Sequence, residues 1–295
     1  MTLGFPWGII QNTHPEEKVK IVFWGVRGSV PTPRKDVLGY GGNTTCAQVF
    51  AGGREFIIDA GTGIIELGHR MISEPPRGFT LLLTHLHHDH TQGFPFFRPA
   101  FSAGFGFDVY AGNFFRKSAR EVIADSMSDP YFPVPLNSLA SRITFKEIAF
   151  DNDHHLVEGL CDGAVDALRL FHPREGVVVY RFREGEKTLV FATDCEHYPG
   201  RDELLEPFIR NADIFVYDTM YTDEEYKKGN PPKIGWGHST IEHGLKLASR
   251  CSVGKLICTH HDPAHSDAFL DEMFGKAREV FPETIGAYEG LALEV

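Results

Sequence analysis

The chain has 295 residues, 42% apolar and 23% charged, with a formal net charge of −11. That composition suits a globular protein with a sizeable core, and the negative balance argues against a stable grip on nucleic acid or an anionic membrane. No apolar run is long enough to span a bilayer, and Met1–Gln11 lacks the basic start and cleavage pattern of a signal peptide.

Taken in chain order, Lys20–Trp24, Ala47–Ala51 and Glu55–Asp59 read as strands, and Gly61–Gly63 turns the chain into a short helix at Ile64–Met71. Thr80–Thr84 is the strongest strand. Asn113–Ser128 is predicted helical, with Phe114, Ala119, Val122 and Ile123 on one apolar face. Val177–Phe182 and Thr188–Phe191 flank Gly185 as a hairpin, and Asp213–Tyr217 is another strand. Ser239 or Thr240 caps a helix running to about Ser249. A strand at Lys255–Thr259 and a helix at Asp267–Val280 follow. No repeat or linker divides the chain, so it is read as one domain, residues 1–295, of the α/β class with two sheets and outer helices. Cys46, Cys161, Cys195, Cys251 and Cys258 form no C-x-x-C pair; neither a disulfide framework nor a zinc ribbon is expected, and a reducing cytoplasm fits.

The chemistry concentrates after the Thr80–Thr84 strand, in His85-Leu86-His87-His88-Asp89-His90. In extended chain His85 and His87 point to one face and His88 to the other. Asp89 and His90 come where the chain must turn. Such N/O donors suit borderline metals such as zinc, and the pairs His85/His87 and Asp89/His90 can serve two ions. The remaining donors should also sit at strand ends. His172 follows Ala167–Phe171, Asp194 follows Thr188–Thr193, and His260 follows Leu256–Thr259. An aspartate can bridge two cations, which gives His85, His87, His172 and Asp194 around one, and Asp89, His90, Asp194 and His260 around the other. On spacing alone His261 serves as well as His260. Asp59, at the end of Phe56-Ile57-Ile58, reads equally as a turn cap or as a carboxylate that fixes the tautomer of a ligand histidine.

Several further segments stand in register with these. They are Gly25-Val26-Arg27-Gly28-Ser29-Val30-Pro31-Thr32-Pro33, Tyr40-Gly41-Gly42-Asn43-Thr44-Thr45-Cys46, Asp59-Ala60-Gly61-Thr62-Gly63, Val179-Tyr180-Arg181, Ala192-Thr193-Asp194, Gly237-His238-Ser239-Thr240 and Thr259-His260. With the histidine motif they resemble the metallo-β-lactamase-fold hydrolases from about Val19 to the end of the chain. Within that superfamily they are most similar to the phosphodiesterase branch of ribonuclease Z, the phosphonate-pathway cyclic phosphodiesterase and bacterial cyclic-nucleotide phosphodiesterases. The resemblance implies a four-layer αβ/βα sandwich with two divalent cations at one edge, zinc first, manganese or iron as alternatives. It selects His260 over His261 and gives Asp59 the histidine-orienting role. It implies catalytic roles for Asp89 and Asp194 and makes His238 the proton donor to the leaving group. Arg27, Asn43 and Thr44 then line an anion pocket.

Local readings compete with some of these. Arg27 equally fits a surface position in a tight turn, and His238 a histidine near a helix cap. Phe94, Phe96, Phe97, Phe101, Phe105 and Phe107 are expected to pack on the sheet rather than stack a base, and Tyr131 and Phe132 invite the same question. His154 and His155 are expected at the surface, and nothing assigns His197.

The expected activity is hydrolysis of a small, cyclic-nucleotide-like phosphodiester by cation-activated hydroxide. The alternatives are ribonuclease Z-like RNA processing, or a lactone or thioester hydrolase on the same fold. His172 and Asp194 lie only 22 positions apart, room for a hairpin but not for the RNA-gripping arm that ribonuclease Z-type enzymes usually carry there. The expected partner is the small substrate, with no stable nucleic-acid or membrane binding; a homodimer is left open.

Overall fold

The computed structural model describes residues 18–151, 155–197 and 202–295. In chain order it contains β1 (Lys20–Gly25), β2 (Cys46–Ala51), β3 (Arg54–Ile58), α1 (Gly63–Met71), β4 (Phe79–Leu82), β5 (Gly106–Gly112), α2 (Ala119–Ser126), β6 (Arg142–Ile148), β7 (Leu156–Leu160), β8 (Val165–Leu170), β9 (Val177–Glu184), β10 (Lys187–Ala192), α3 (Asp202–Ile209), β11 (Ile214–Asp218), α4 (Asp223–Lys228), α5 (Ile241–Arg250), β12 (Lys255–Thr259), α6 (Asp267–Val280), β13 (Thr284–Gly286) and β14 (Ala292–Glu294).

These strands form two seven-stranded sheets, ordered β14-β1-β2-β3-β4-β5-β6 and β13-β12-β11-β10-β9-β8-β7. Each is antiparallel in one part and parallel in the other: β3 to β6 run parallel in the first, β10 to β13 in the second. The central strands are buried on both faces, which is why they read as unbroken apolar runs. Phe56 and Ile58 of β3 face the second sheet, where Phe182, Leu189 and Val216 meet them, and the Phe56 and Phe182 rings stand 5.3 Å apart. The alternate residue Ile57 faces outward with Ile64 and Leu67 of α1. In β11, Phe215 and Tyr217 likewise turn toward Leu245 and Phe274 of α5 and α6. Helix, sheet, sheet and helix are stacked in four layers, the expected αβ/βα sandwich.

Most predicted elements fall within two residues of the observed ones, and the Asp267–Val280 helix matches at both ends. The Asn113–Ser128 helix is a correction: only Ala119–Ser126 is helical. Ser118 and Glu121 form a reciprocal capping box that starts the helix there. Asn113 instead exchanges two 3.0 Å hydrogen bonds with the Phe150 backbone, and Phe114 packs against the core between the sheets. Of the six phenylalanines after the histidine motif, Phe94, Phe97, Phe105 and Phe107 are buried under the first sheet, while Phe96 and Phe101 are exposed. His155 is exposed; His154 and Met1–Gln11 lie outside the described residues.

Candidate metal centre

The ends of β3, β4, β8, β10, β11 and β12 release the chain at one edge of the sandwich, and the polar residues that follow converge there. His85, His87 and His172 form one group of donors. His85, His90 and Asp194 form a second, and Asp89, His90 and His260 a third; within each, the donor atoms lie within 4.8 Å of one another. The fourth group is Asp194, Asp218, His238 and His260. All seven expected ligands are thus brought to one place. His88 is exposed and in none of the groups.

Asp194 lies between two sets of imidazoles. Its Oδ1 is 3.8 Å from His85 Nε2 and 4.0 Å from His172 Nε2. Its Oδ2 is 3.3 Å from His90 Nε2 and 3.4 Å from His260 Nε2. Asp89 Oδ2 closes the second set at 3.3 Å from His90 Nε2 and 3.4 Å from His260 Nε2. His87 Nδ1 closes the first, 2.9 Å from His85 Nε2 and 3.1 Å from His172 Nε2.

These residues fit cations. His90 Nε2 and both ring nitrogens of His260 are buried without a hydrogen-bond partner, although two carboxylates are near. Buried polar atoms are normally satisfied, so His90 Nε2 and His260 Nε2, left unpaired beside the same two carboxylates, mark a place for an electron-pair acceptor. Burial depresses the proton affinity of His85, His87 and His172, the last to about 4, and the neutral ring is the form that binds a metal. Around His90 burial also opposes charge, yet the Asp89, Asp194 and Asp59 carboxylates overcome it and raise its proton affinity well above the ordinary value.

Three of the strand-end residues, Asp59, Asp194 and His260, have φ near 60°, a left-handed conformation that costs energy in a non-glycine residue. It turns each side chain into the cluster directly at its strand's end. Asp59 is fully buried. It accepts hydrogen bonds from the Thr84 amide and hydroxyl, both at 2.8 Å, and lies 2.7 Å from His90 Nδ1. That contact leaves His90 Nε2 to face the cluster.

Asp218 does the same in the second sheet, and sequence reasoning missed it by ending the strand at Tyr217. Its Oδ2 is 2.9 Å from His238 Nδ1 and accepts the Asp194 amide at 3.1 Å. The signal was available: Phe215-Val216-Tyr217-Asp218 repeats the form of Phe56-Ile57-Ile58-Asp59. His238 lies 3.6 Å from Asp194 Oδ1. Burial opposes its charge, but Asp218 and Asp194 raise it to about 9. Two glycines allow this crowding. A Cβ at Gly237 would come within 2.5 Å of the His172 ring, and one at Gly28 within 2.5 Å of the His260 ring.

The three expected anion-pocket residues are all held by contacts within the protein. Arg27 is fully buried. It donates to the carbonyls of Gly41 at 2.8 Å, Asp262 at 3.1 Å and His265 at 2.9 Å, so it ties an N-terminal loop to a C-terminal one. Asn43 is held by Glu289, at 2.7 Å through its amide and 3.1 Å through its side chain. Thr44 is buried in a reciprocal pair with Thr62, at 2.9 and 2.8 Å. The motif reaches the site through its backbone instead, where the Ser29 amide donates to Asp89 Oδ2 at 2.8 Å. His261 points away from the cluster, its Nε2 2.8 Å from the Ala287 carbonyl, and burial pushes it down to about 3. His197 is also outside the groups: it contacts Ser239 Oγ at 2.8 Å and stacks on His243 at 4.4 Å.

The family model for the beta-lactamase superfamily domain matches residues 54–261. The chain belongs to the beta-lactamase superfamily. This superfamily member is similar to the ribonuclease Z of Bradyrhizobium sp. strain ORS 278, 25% identical in a gapped match that covers 90% of this chain and 96% of the relative. Among solved structures it is similar to the short form of human tRNase Z, with TM-score 0.66 and 18% identity, covering 93% of this chain and 98% of that one. It is similar also to a diphosphatase from the PhnP family, with TM-score 0.64 and 17% identity, covering 94% and 98%. These likenesses agree with the metallo-β-lactamase fold read from the motifs. Among the described residues no helix is long and apolar enough to cross a membrane.

Proposed function

We propose that this protein is a dinuclear phosphodiesterase acting on a small, cyclic-nucleotide-like phosphodiester. The observation that carries the reading is the division of Asp194, with one oxygen toward His85 and His172 and the other toward His90 and His260. In this reading His85, His87, His172 and Asp194 hold one cation, and Asp89, His90, His260 and Asp194 the other. Zinc is the first choice for such donors, with manganese or iron also accommodated. When bound, the cations supply Lewis acidity toward phosphoryl oxygens and make water a nucleophile near neutral pH. Asp59 keeps the His90 ring in one tautomer, and the Ser29 amide fixes Asp89. Asp218 lies at hydrogen-bond distance from His238 Nδ1, and in this reading the opposite nitrogen gives a proton to the leaving oxygen. Phosphodiesters are favoured because the ribonuclease Z relative spans nearly the whole chain.

Those relatives also support a second reading, RNA processing. Two observations place it behind the first. Between His172 and Asp194 the chain makes only the β9–β10 hairpin, and the net charge of −11 disfavours a long polyanion. The test is to load the purified protein with Zn²⁺ or Mn²⁺ and assay bis(p-nitrophenyl) phosphate, 2′,3′- and 3′,5′-cyclic nucleotides, a transfer-RNA precursor and a lactone. The reading expects cleavage of the first two classes. Preference for the precursor would promote the RNA reading, and lactone opening without phosphodiester cleavage would replace both.

A further inference from the structure

The loop that delivers His238 carries an aromatic side chain that the chemistry above does not use. Residues 229–237 connect α4 to His238, and buried Glu196 holds this loop. Its Oε1 accepts the Gly235 amide and the Tyr226 hydroxyl, both at 2.6 Å, and its Oε2 accepts the Gly237 amide at 2.8 Å. The two amides flank Trp236, which is 48% exposed. The Lys233 ammonium lies 4.0 Å from the centroid of the Trp236 ring and 5.8 Å from that of Tyr221. The Tyr221 ring in turn stands 6.1 Å from that of His238. A continuous run of contacts therefore leads from an exposed indole to the candidate proton donor.

An indole whose backbone is pinned on both sides, with Lys233 over one face, loses little freedom when a planar group settles on its open face. Stacking of a base on an aromatic ring needs no particular base and supplies useful affinity. We propose that Trp236 is the specificity-determining platform on which the nucleobase of the substrate stacks, with Lys233 bracing one face of the indole. This rests on the phosphodiesterase reading and adds to it the part of the substrate that lies away from the scissile bond.

The test compares kcat/KM of the metal-loaded enzyme for an adenosine cyclic phosphate, 2′,3′ or 3′,5′, whichever is cleaved faster, with that for the matching base-free methyl riboside cyclic phosphate. The two share their reacting atoms. The wild type should prefer the base-bearing substrate, and W236A should lower that preference about 10-fold, mainly through KM. W236F should keep most of it, which a merely structural role for the indole does not predict. A preference unchanged in W236A, or absent in the wild type, overturns the platform while leaving the phosphodiesterase reading in place. Failure of the wild type to cleave any phosphodiester, bis(p-nitrophenyl) phosphate included, removes both.

Discussion

The first sheet presents His85, His87, Asp89 and His90 on one six-residue stretch with Asp59 beneath, whereas the second presents His172, Asp194, Asp218, His238 and His260 from five separate places in the chain. The two edges nevertheless share a device. Each has an aspartate at a strand end that accepts a backbone amide and lies at hydrogen-bond distance from a histidine Nδ1: Asp59 with Thr84 and His90, Asp218 with Asp194 and His238. They differ in where that histidine points. His90 Nε2 faces the cluster between two carboxylates. His238 sits at the side, beside Asp194 Oδ1. In the proposed reading the aspartate–histidine pair serves cation binding in one sheet and proton delivery in the other, and substitutions should separate the two.

The largest effect should come from the residue that joins the halves. Asp194→Asn removes the carboxylate both histidine sets face, and hydrolysis of bis(p-nitrophenyl) phosphate should fall by about 10³-fold or more, with bound metal reduced. His238→Ala should lower turnover by roughly 10²-fold with the metal content of the wild type; full activity in that variant takes His238 out of the mechanism. Asp59→Asn should show the opposite division: metal affinity weaker by about 10- to 100-fold, and turnover largely recovered at saturating metal. If Asp59→Asn and Asp218→Asn behave alike in both measurements, the contrast between the edges is wrong. The smallest functional effect is expected at Arg27. Arg27→Ala strands three carbonyls, those of Gly41 and His265 in buried contacts, and should cost about 3 kcal/mol in urea unfolding without changing the metal-to-protein ratio.

The contrast also explains what could be read from sequence. The first edge was legible because its donors are contiguous and follow an apolar run; no packing knowledge was needed to see them together. In the second, His172 and Asp194 were found because each ends an apolar strand, but Asp218 was passed over because its strand was closed at Tyr217, one residue short of the acid. Between His260 and His261, spacing could not decide, since the choice depends on a φ of 63° at His260 that turns one ring into the cluster and leaves its neighbour on the Ala287 carbonyl. Arg27, Asn43 and Thr44 show a different limit. Their motif does lie at the site, but only the fold reveals that the guanidinium is buried among carbonyls and that the Ser29 backbone makes the contact. The strands not predicted are β5, β6, β7, β13 and β14: β6 and β7 have mixed, partly exposed faces, and β13 and β14 are three residues each, too short for a period to show.

The most direct test of the central claim is a titration. Chelated protein is assayed on bis(p-nitrophenyl) phosphate while Zn²⁺ or Mn²⁺ is returned in measured equivalents. Two cations sharing Asp194 predict activity that rises to a plateau at two equivalents per chain. A plateau at one equivalent, or no phosphodiester cleavage at any loading, would contradict the account.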